Sequence, residues 1–396
     1  MKKEVNKKQI VFCGYNVFPY GFAQTQRLLL IAKGLQLSHC EVTVLCRYGT
    51  YNINQNKTKK SGVFENVKYK YSSGNSSRPN SFIIRNLLKI KGVFNEFTFL
   101  IKKRFLGELD YIFVTTNTFN KVLYYSILSK LICTKCVIDN TEFWSAVKRH
   151  KWSFGEKLYD YLSPRLYNKV ICISDFLYTH TLQIKKETNV LKIPAIVDFE
   201  KFEDSNPQLD SNGKFILFCG SAVYYPIIQF IIEAFEIIDQ SKVNLIIVSS
   251  NGSSSDFKKI NTAINSSSKS QLIKLVSNIE YSVLVKLYKE SIALLIPLRN
   301  TKEDTARFPH KLGEYTASKS IIITTNNGEI PNYFTDMQNA LISNKYDIKQ
   351  FSEKIEYAIS ENTKLSEISE NSYKTGLKNF DYKINGEKIY NFLFNN

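Results

Sequence analysis

The sequence predicts an α/β protein of two domains, each built on a doubly wound parallel sheet. The chain has 396 residues, which exceeds what one hydrophobic core usually serves and favours two domains. Short continuous apolar runs alternate with segments of helical period, a pattern typical of parallel strands covered on both faces. The runs form two series, so we expect two Rossmann-like domains that face each other across a cleft.

The apolar runs are predicted as strands, six in the first series and five in the second. They lie at 9–15, 42–48, 110–116, 136–141, 169–174 and 189–194, and then at 214–221, 244–250, 292–298, 320–326 and 339–344. Helical period is clear at 24–35, 226–238 and 282–291. Because ligands of open α/β sheets bind at the carboxyl ends of the strands, the loops after these strands are the candidate sites.

A polar stretch marks the boundary between the two series. The sequence DFEKFEDSNPQLDSNGK at 198–214 contains Pro and Gly and no apolar run. We therefore predict an N-terminal domain over 1–200 and a C-terminal domain over 201–380. Residues 381–396 are predicted to form a last helix that could return to the N-terminal domain.

The net charge of +17 suggests a nucleic acid, an anionic membrane surface or a phosphorylated substrate as partner. No nucleic-acid motif accompanies the charge, and the aromatic residues alternate with apolar ones, so nucleic acid is not predicted. The alternative is that the Lys-, Asn- and Ile-rich composition reflects base composition. No run reaches the roughly 20 apolar residues of a spanning helix. The N-terminus lacks the apolar core of a signal peptide.

The seven cysteines are odd in number and scattered, which indicates a reducing compartment, the cytosol. Four of them lie in apolar runs and are predicted to be buried thiols; they are Cys13, Cys46, Cys172 and Cys219. Cys133 and Cys136 form a CxxC, but there is no second pair and no nearby histidine. Metal or redox use of that pair is therefore not predicted.

The segment RFPHKLGEYTASKSIIITTNNGE at 307–329 carries the most specific candidate site. Pro309 suits the first turn of a helix. Arg307 and Lys311 would lie at the end of that helix that repels cations, unless a diphosphate supplies negative charge. Glu314 follows Lys311 by three residues, so it either forms a weak ion pair with it or accepts the two hydroxyls of a ribose.

Three other loops after predicted strands carry weaker candidates. Gly14 and Gly21 follow the first strand, but the strict G-x-G-x-x-G spacing is absent. Gly220 and Ser221 follow the strand KFILFCG, where they form either an ordinary turn or a close approach to a phosphate or ribose.

The loop after CVID brings two acidic groups to the end of a buried strand. Asp139 and Glu142 could bind substrate hydroxyls or cap local structure, and the sequence leaves both open. His150 lies a few residues further on among cations, either as a functional group or on a solvated face.

Taken in order, these motifs resemble family 4 glycosyltransferases, also called group 1. The resemblance rests on P-x-K-x-x-E-Y followed by TAS, IIITT, Gly-Glu and NALIS over about 290–345, and more loosely on FPYGFAQTQRLLLIAKGL, VIDNTEFW, VICISDFL, IPAIVDFEKF and FILFCGS. It implies the GT-B fold, with the acceptor on the N-terminal side and a nucleotide-sugar donor on the C-terminal side. It also implies a retaining hexosyl transfer with no metal or other cofactor.

The resemblance assigns roles to residues. Glu314, Lys311 and His150 are expected to be catalytic, and Phe22, Asp139 and Glu142 to contact the acceptor. The expected donor-binding residues are Gly21, Gly220, Ser221, Arg299, Arg307, Pro309, His310, Lys311, Glu314, Gly328 and Glu329.

The sequence departs from the family pattern in two places. Glu314 resembles the second glutamate of the E-x7-E pair, but the first would fall at Ala306. Glu303 or Asp304 could replace it. The family's Arg and Lys after the first C-terminal strand are also missing, with Arg299, Arg307 and Lys311 as the available replacements. The RFP-x-K-x-x-E-Y pattern looks like the capsule and O-antigen type of member.

The implied function is transfer of a hexosyl unit from a UDP- or GDP-sugar to a lipid-linked or growing polysaccharide. The basic segment 83–107 is either the core stripe of a covering helix or a docking surface for the inner face of the cell membrane. The alternatives are a nucleotide-sugar 2-epimerase of the same fold and a degraded homologue acting as a scaffold. The sugar, the linkage and the oligomeric state are not predicted.

Overall fold

The computed structural model describes residues 7–52, 58–147, 154–203, 213–239, 243–250, 252–360 and 363–395. The chain divides into two compact units. Unit 1 consists of Met1–Ile196 and Tyr382–Asn396, and unit 2 is Val197–Asp381. Each unit contains its own parallel sheet with helices, so the predicted fold class is confirmed.

Unit 1 is built on a sheet with the order β10-β9-β8-β7-β1-β2-β5-β4, counted over the described residues. Its strand pairs are parallel, except that β4 runs antiparallel to β5, and β3 and β6 pair separately. The elements are β1 (Lys8–Cys13), α1 (Ala23–Leu37), β2 (Cys40–Cys46), β3 (Tyr51–Asn52), β4 (Ser61–Phe64), β5 (Val67–Tyr71), β6 (Ser77–Arg78), α2 (Phe82–Phe105), β7 (Tyr111–Val114), α3 (Phe119–Leu131), β8 (Lys135–Asn140), α4 (Phe154–Leu166), β9 (Lys169–Cys172), α5 (Asp175–Ile184) and β10 (Asn189–Lys192).

The strand order of unit 1 reverses between β1 and β7. The chain moves outward from β1 through β2 and β5, then returns to β7 and continues to β8, β9 and β10 on the other side. Phe12 and Phe113 stack across this reversal with ring centroids 4.3 Å apart. In doubly wound sheets such a reversal opens a crevice at the carboxyl ends of the two strands.

Unit 2 has a fully parallel sheet with the order β13-β12-β11-β14-β15-β16 in the part of the chain that is described. The reversal lies between β11 and β14. The elements are α6 (Glu200–Glu203), β11 (Phe215–Ser221), α7 (Tyr225–Glu236), β12 (Asn244–Ser250), α8 (Ser254–Ser266), β13 (Ile273–Val276), α9 (Tyr281–Glu290), β14 (Ala293–Ile296), α10 (Lys302–Ala306), α11 (His310–Ala317), β15 (Ile321–Thr325), α12 (Ile330–Tyr333), β16 (Leu341–Ser343), α13 (Ile348–Ile359) and α14 (Lys364–Phe380).

The last helix, α15 (Tyr382–Phe394), belongs to unit 1 and packs against α1. The two helices cross at a pair of glycines. A Cβ atom on Gly386 would lie 2.4 Å from the carbonyl carbon of Gly34, so a side chain at the crossing would force the helices apart. The Tyr111 hydroxyl also donates to the Leu393 carbonyl at 2.7 Å, which ties the end of α15 to the sheet.

The buried residues of helix α2 begin at Gly92, near its midpoint. Gly92, Glu96 and Leu100 are buried there, at a spacing that places them on one face of the helix. The first half is largely exposed, including large apolar side chains. None of the described helices is both long and apolar enough to span a bilayer.

Candidate functional site

In unit 2, the loops after β11 and β14 meet at the reversal of strand order, where a ligand crevice is expected. Gly220 and Ser221 end β11. A Cβ atom on Gly220 would lie 2.6 Å from the ring of Phe218, so a side chain there would displace that ring. The Ser221 hydroxyl accepts a hydrogen bond from the Val223 N–H at 3.4 Å and caps the 3₁₀ turn that follows. The loop therefore keeps its backbone open on the side of the crevice.

Asp304 organises the loop after β14. Its carboxylate accepts from the Arg299 Nε at 2.8 Å, Nη2 at 3.0 Å and backbone N–H at 2.9 Å. It also accepts from Arg307 Nη2 at 2.6 Å. Asp304 is completely buried. Burial opposes its charge, but Arg299 and Arg307 outweigh burial and hold the pKa of Asp304 below its usual value. The carboxylate is thus a structural anchor for two arginines.

Arg307 does not lie in the first turn of α11, and the sequence-based premise that it does is corrected. It is the C-cap residue of α10. Its guanidinium donates to the Tyr224 hydroxyl and lies over that ring, 4.5 Å from the centroid. Because Arg299 and Arg307 face Glu303 and Asp304, this group has two positive and two negative side chains. Arg307 therefore has negative partners within the protein and does not require a diphosphate to explain its position.

Lys311 and Glu314 lie together at the start of α11, whose N-cap is Pro309. Lys311 Nζ donates to Glu314 Oε2 at 3.3 Å and to the Tyr288 hydroxyl at 2.9 Å. Glu314 also accepts from Tyr281 at 3.1 Å and from Tyr288 at 3.4 Å. The ion-pair alternative is therefore present in the structure.

The pair nevertheless stays within reach of a ligand. The side chain of Lys311 is 31% exposed and that of Glu314 is 15% exposed. Burial disfavours the charge on Lys311, but the nearby Cys219 and Glu314 outweigh burial and raise the pKa of the lysine. Lys311 is therefore a fixed, charged and accessible cation in the first turn of a helix. His310 precedes it as the first helical residue.

Gly328 and Glu329 follow β15. Gly328 has φ +59°, and a Cβ atom there would lie 3.1 Å from the Asp304 carbonyl oxygen. This turn thus lies directly against α10 and suits glycine. Glu329 is buried, and its carboxylate accepts from Asn332 Nδ2 at 3.1 Å. Glu329 therefore has a structural role in this turn.

A cavity of about 630 Å³ opens at the carboxyl ends of β12 and β13, and the sequence analysis did not identify it. The sequence feature that could have indicated this cavity is the cluster of small polar residues SSNGSSSD at 249–256, after a predicted strand. Its walls are formed by small polar groups with two apolar side chains, in a size range that holds small ligands. The lining residues are Val223, Ser250, Gly252, Ser253, Phe257, Ser277 and Asn278.

The remaining predicted residues belong to unit 1. Gly21 precedes α1, and a Cβ atom there would lie 2.0 Å from Thr25 Oγ1. Phe22 is the N-cap of α1 and is 63% exposed. Glu142 is half-buried between β8 and a 3₁₀ turn. His150 lies outside the described residues.

Asp139 is held in a buried ion pair. Its two carboxylate oxygens accept from Arg27 Nε at 2.8 Å and Nη2 at 2.9 Å. Arg27 is 1% exposed and also donates to the carbonyls of Pro194 and Ile193. The structure thus favours the structural alternative for Asp139 over contact with a ligand.

No group of three or more His, Cys, Asp or Glu side chains is placed to hold a metal ion within the described residues. Cys133 is exposed and Cys136 is half-buried, and both are free thiols.

Comparison with known proteins shows what the chain resembles. Residues 199–375 match the family described as glycosyl transferases group 1. A comparison of the sequence with curated proteins found no match.

Solved structures resemble the chain over almost its whole length. A glycosyltransferase from Rickettsia africae is 17% identical with a TM-score of 0.72, covering 99% of this chain and 100% of its own. Anabaena HepE in complex with UDP and glucose is 14% identical with a TM-score of 0.71, covering 98% and 99%. Sucrose-phosphate synthase from Thermosynechococcus elongatus is 12% identical with a TM-score of 0.76, covering 98% and 99%. These likenesses show the fold, and the family match lies in the part of the chain that contains α10, α11 and the cavity.

Proposed function

We propose that this protein, whose residues 199–375 match the group 1 glycosyltransferase family, is a glycosyltransferase that moves a hexosyl unit from a nucleoside diphosphate sugar to a lipid-linked or growing polysaccharide. The transfer would retain the anomeric configuration and serve the synthesis of a bacterial capsule or O-antigen. The donor is a UDP- or GDP-sugar, and the UDP–glucose complexes of Anabaena HepE support the first choice.

The observation that carries the proposal is the Lys311–Glu314 pair at the N-terminus of α11. A helix N-terminus attracts anions, and Lys311 adds a full charge that Tyr288 and Glu314 hold in place. Negative charge develops on the leaving diphosphate as the glycosidic bond breaks. Fixed cations and N–H groups aimed at that charge lower the barrier. These groups supply positive charge at the leaving diphosphate, and we propose that no metal is needed there.

The other donor contacts follow from the same edge of the unit 2 sheet. We assign the nucleobase to the cavity after β12 and β13, and the ribose hydroxyls to the Glu314 carboxylate. Gly220 and Ser221 allow the backbone to approach the donor. Arg299 and Arg307 would keep the loop rigid beside the donor, because Asp304 fixes both guanidinium groups.

Glu303 is the better replacement for the carboxylate missing at Ala306. Ala306 is completely buried, so that position presents no group to a sugar. Asp304 is fully occupied by its two arginines, whereas Glu303 accepts from Arg299 Nη2 at 3.2 Å and keeps 9% of its side chain exposed. The rival function of an inactive scaffold rests on Ala306 alone, and an active carboxylate at Glu303 would remove that argument.

Helix α2 supports a position at the inner face of the cell membrane. Its exposed first half carries Phe82, Ile83, Leu87, Ile90 and Phe94, each at least 60% exposed. Lysines and arginines are interspersed along the same helix. Apolar side chains that insert among lipids and cations that meet anionic headgroups are the features of an interfacial helix.

The donor site can be tested by measuring whether nucleotide-sugars protect the protein against thermal unfolding. A donor at one hundred times its Kd stabilises the folded protein by about 2.7 kcal/mol, so we expect a rise of several degrees with a UDP- or GDP-sugar. Glu314→Ala removes charge-assisted hydrogen bonds worth about 1.5–3 kcal/mol. We therefore expect donor affinity to fall at least tenfold.

Glu353→Ala, on the exposed side of α13, is the matched control and should leave the donor affinity unchanged. The absence of protection by any UDP-, GDP- or dTDP-sugar would count against the enzyme function. Equal protection of wild type and Glu314→Ala would contradict the role of Glu314.

A further inference from the structure

A second group of cations lies at the reversal of strand order in unit 1, far in sequence from the donor motif. Lys89 Nζ and Lys121 Nζ lie 5.9 Å and 5.8 Å from the centroid of the same ring, that of Tyr48. Lys121 Nζ also donates to the Gly14 carbonyl oxygen at 2.9 Å. We call Lys89, Lys121 and Tyr48 the Tyr48 cluster. Three separate elements, α2, α3 and the loop after β2, contribute to it.

The cluster lies where a doubly wound sheet binds ligands. Gly14 directly follows β1, and α3 follows β7, so the Lys121–Gly14 contact spans the two strands between which the order reverses. The loop after β2 supplies Tyr48 to the same edge. Lys121 lies in the first turn of α3, as Lys311 lies in the first turn of α11 in unit 2.

The positive charge of Lys121 would be stabilised by a bound anion. The first turn of α3 contains no acidic residue, and the N-cap Thr118 makes no capping hydrogen bond. A cation is unfavourable at that end of a helix. Among the described residues, no carboxylate comes within salt-bridge distance of Lys121 or Lys89.

Among the described residues, Glu96 is the buried acid that acts on Lys121; its Oε1 is engaged by other residues and its Oε2 is buried without a hydrogen-bond partner. Glu96 accepts from Arg47 Nη2 at 2.7 Å and from the Tyr125 hydroxyl at 2.9 Å. The groups that face Lys121 are therefore Arg47, Glu96 and the Cys46 thiol, besides Tyr48 and Lys89. Burial and Arg47 lower the pKa of Lys121 to about 8, which agrees with an ammonium group that has too little negative charge around it.

Lys89 places the Tyr48 cluster next to the exposed apolar side chains in the first half of α2. Arg85 and Phe82 precede it by four and seven residues and lie on its face of the helix. Leu87 and Ile90 adjoin it in sequence and are 60% and 68% exposed. A ligand with phosphate at the cluster would thus have an exposed apolar surface next to its anionic end.

We propose that the Tyr48 cluster binds the phosphate groups of a polyprenyl diphosphate-linked acceptor, with Lys89 and Lys121 as cations and the first half of α2 contacting the lipid. This inference rests on the proposed function for the identity of the acceptor. It assigns the acceptor's phosphates to unit 1, whereas the donor's diphosphate lies at α11 in unit 2. It also explains why the half-buried Lys121 has no carboxylate at salt-bridge distance among the described residues.

Farnesyl diphosphate is a soluble probe of this site, and farnesol is its control without phosphate. We expect wild-type protein to bind farnesyl diphosphate at least tenfold more tightly than farnesol in a calorimetric titration. Lys121→Met and Lys89→Met should each weaken farnesyl diphosphate at least tenfold, and Lys121→Arg should restore most of the affinity. Lys89 is exposed, so its substitution keeps the test valid if Lys121→Met fails to fold.

The same variants separate the sources of phosphate. Donor protection against thermal unfolding should be unchanged in Lys121→Met and Lys89→Met, and inorganic pyrophosphate should compete with farnesyl diphosphate. Loss of donor protection in both variants would show that the cluster serves the donor, which overturns the inference and leaves the proposed function intact. Equal binding of farnesol and farnesyl diphosphate would also overturn it. Lysine-dependent binding of farnesyl diphosphate without any donor protection would uphold the site and refute the proposed function.

Discussion

Asp304 shows how one side chain determines the geometry of a whole loop. Its two oxygens hold Arg299 and Arg307 on either side of α10, and its own N–H is capped by Thr301 at 3.3 Å. Removing one partner of a buried ion pair leaves uncompensated charge and costs about 3–5 kcal/mol. The stability of unit 2 therefore depends on a residue that need not touch a substrate.

Asp304→Asn should reduce the free energy of unfolding by about 3–5 kcal/mol, measured by urea denaturation at pH 7. The pKa of Asp304 is lowered on folding, from an unfolded value of about 3.9. Its stabilisation is therefore complete above about pH 3.9 and is lost as the pH falls through the folded pKa. We expect the variant to show a flatter decline of stability in acid.

The exposed Glu353→Gln is the control for that measurement and should match the wild type within about 0.5 kcal/mol. A similarly small change for Asp304→Asn would show that the two arginines find other partners.

At the scale of single residues, the sequence predicted some contacts and not others. The i,i+3 spacing of Lys311 and Glu314 made their ion pair visible, because helix geometry alone brings the two side chains together. The partners of Arg307 and Asp139 were not visible. Asp304 and Arg307 have the same i,i+3 spacing, but the sequence analysis placed Arg307 with α11 and so did not pair them, and Asp139 meets Arg27 across 112 positions of sequence.

Helix α2 is anchored to unit 1 over one part of its length and exposed over the other. Gly92 allows the helix to approach the chain closely, because a Cβ atom there would lie 2.2 Å from the Arg47 carbonyl oxygen. Asn95 Nδ2 donates to the Ser72 carbonyl at 2.8 Å. Because these anchors begin at Gly92, the residues before it can be altered without removing the helix from unit 1.

The variant Ile83→Glu/Leu87→Glu/Ile90→Glu should abolish binding to vesicles that contain phosphatidylglycerol. Each large apolar side chain contributes about 1.5–3 kcal/mol when it leaves water, so the partition coefficient should fall more than a hundredfold. Cosedimentation measures it. Neutral phosphatidylcholine vesicles should bind the wild type more weakly, because each lysine or arginine contributes about 1 kcal/mol at an anionic surface.

Leu131→Glu is the control, since Leu131 is a 71% exposed side chain at the end of α3. Binding that survives the triple substitution, or that Leu131→Glu removes to the same extent, would rule out α2 as the docking surface.

Each apolar run that was predicted as a strand contains a strand in the structure, while five of the described strands lack that pattern and were missed: β3, β4, β5, β6 and β13. Strand β5 alternates buried and exposed residues and forms the outer part of the sheet with β4. Strand β13, the four-residue IKLV, lies at the edge of its sheet and is too short to stand out. Continuous apolar sequence reports strands buried on both faces, so strands that are short or alternate buried and exposed residues escape that criterion.

At the scale of the whole molecule, the described residues of the two units form separate hydrophobic clusters. Buried residues of β1, β2, α1 and α15 belong to one cluster, and those of β11, β12, α7 and α13 belong to the other. Sequence composition predicted the two domains. The sequence left open whether the last helix returns, because the glycines at the α1–α15 crossing have no signature of their own.

Gly386→Ala should destabilise unit 1 and spare unit 2. The added methyl group would overlap the backbone of α1 at Gly34, and overpacking typically costs about 1–3 kcal/mol. Thermal unfolding with and without a nucleotide-sugar separates the two effects. We expect a lower first transition, with the donor-dependent rise of unit 2 unchanged.

The control is Asn391→Ala, because Asn391 lies on the exposed side of α15. We expect this substitution to change the free energy of unfolding by no more than about 0.5 kcal/mol. Wild-type stability in Gly386→Ala would mean that α1 and α15 separate without cost.

The return of α15 to unit 1 sets the order in which a ribosome can complete the two units. Residues Val197–Asp381 leave the ribosome as one continuous stretch, and a domain generally folds as a unit once its residues have emerged. The sheet of unit 1 is synthesised first, yet its α1 face stays uncovered until residues Tyr382–Phe394 follow. Translation thus finishes unit 2 before unit 1, and the nascent chain exposes an apolar helix face throughout synthesis of unit 2.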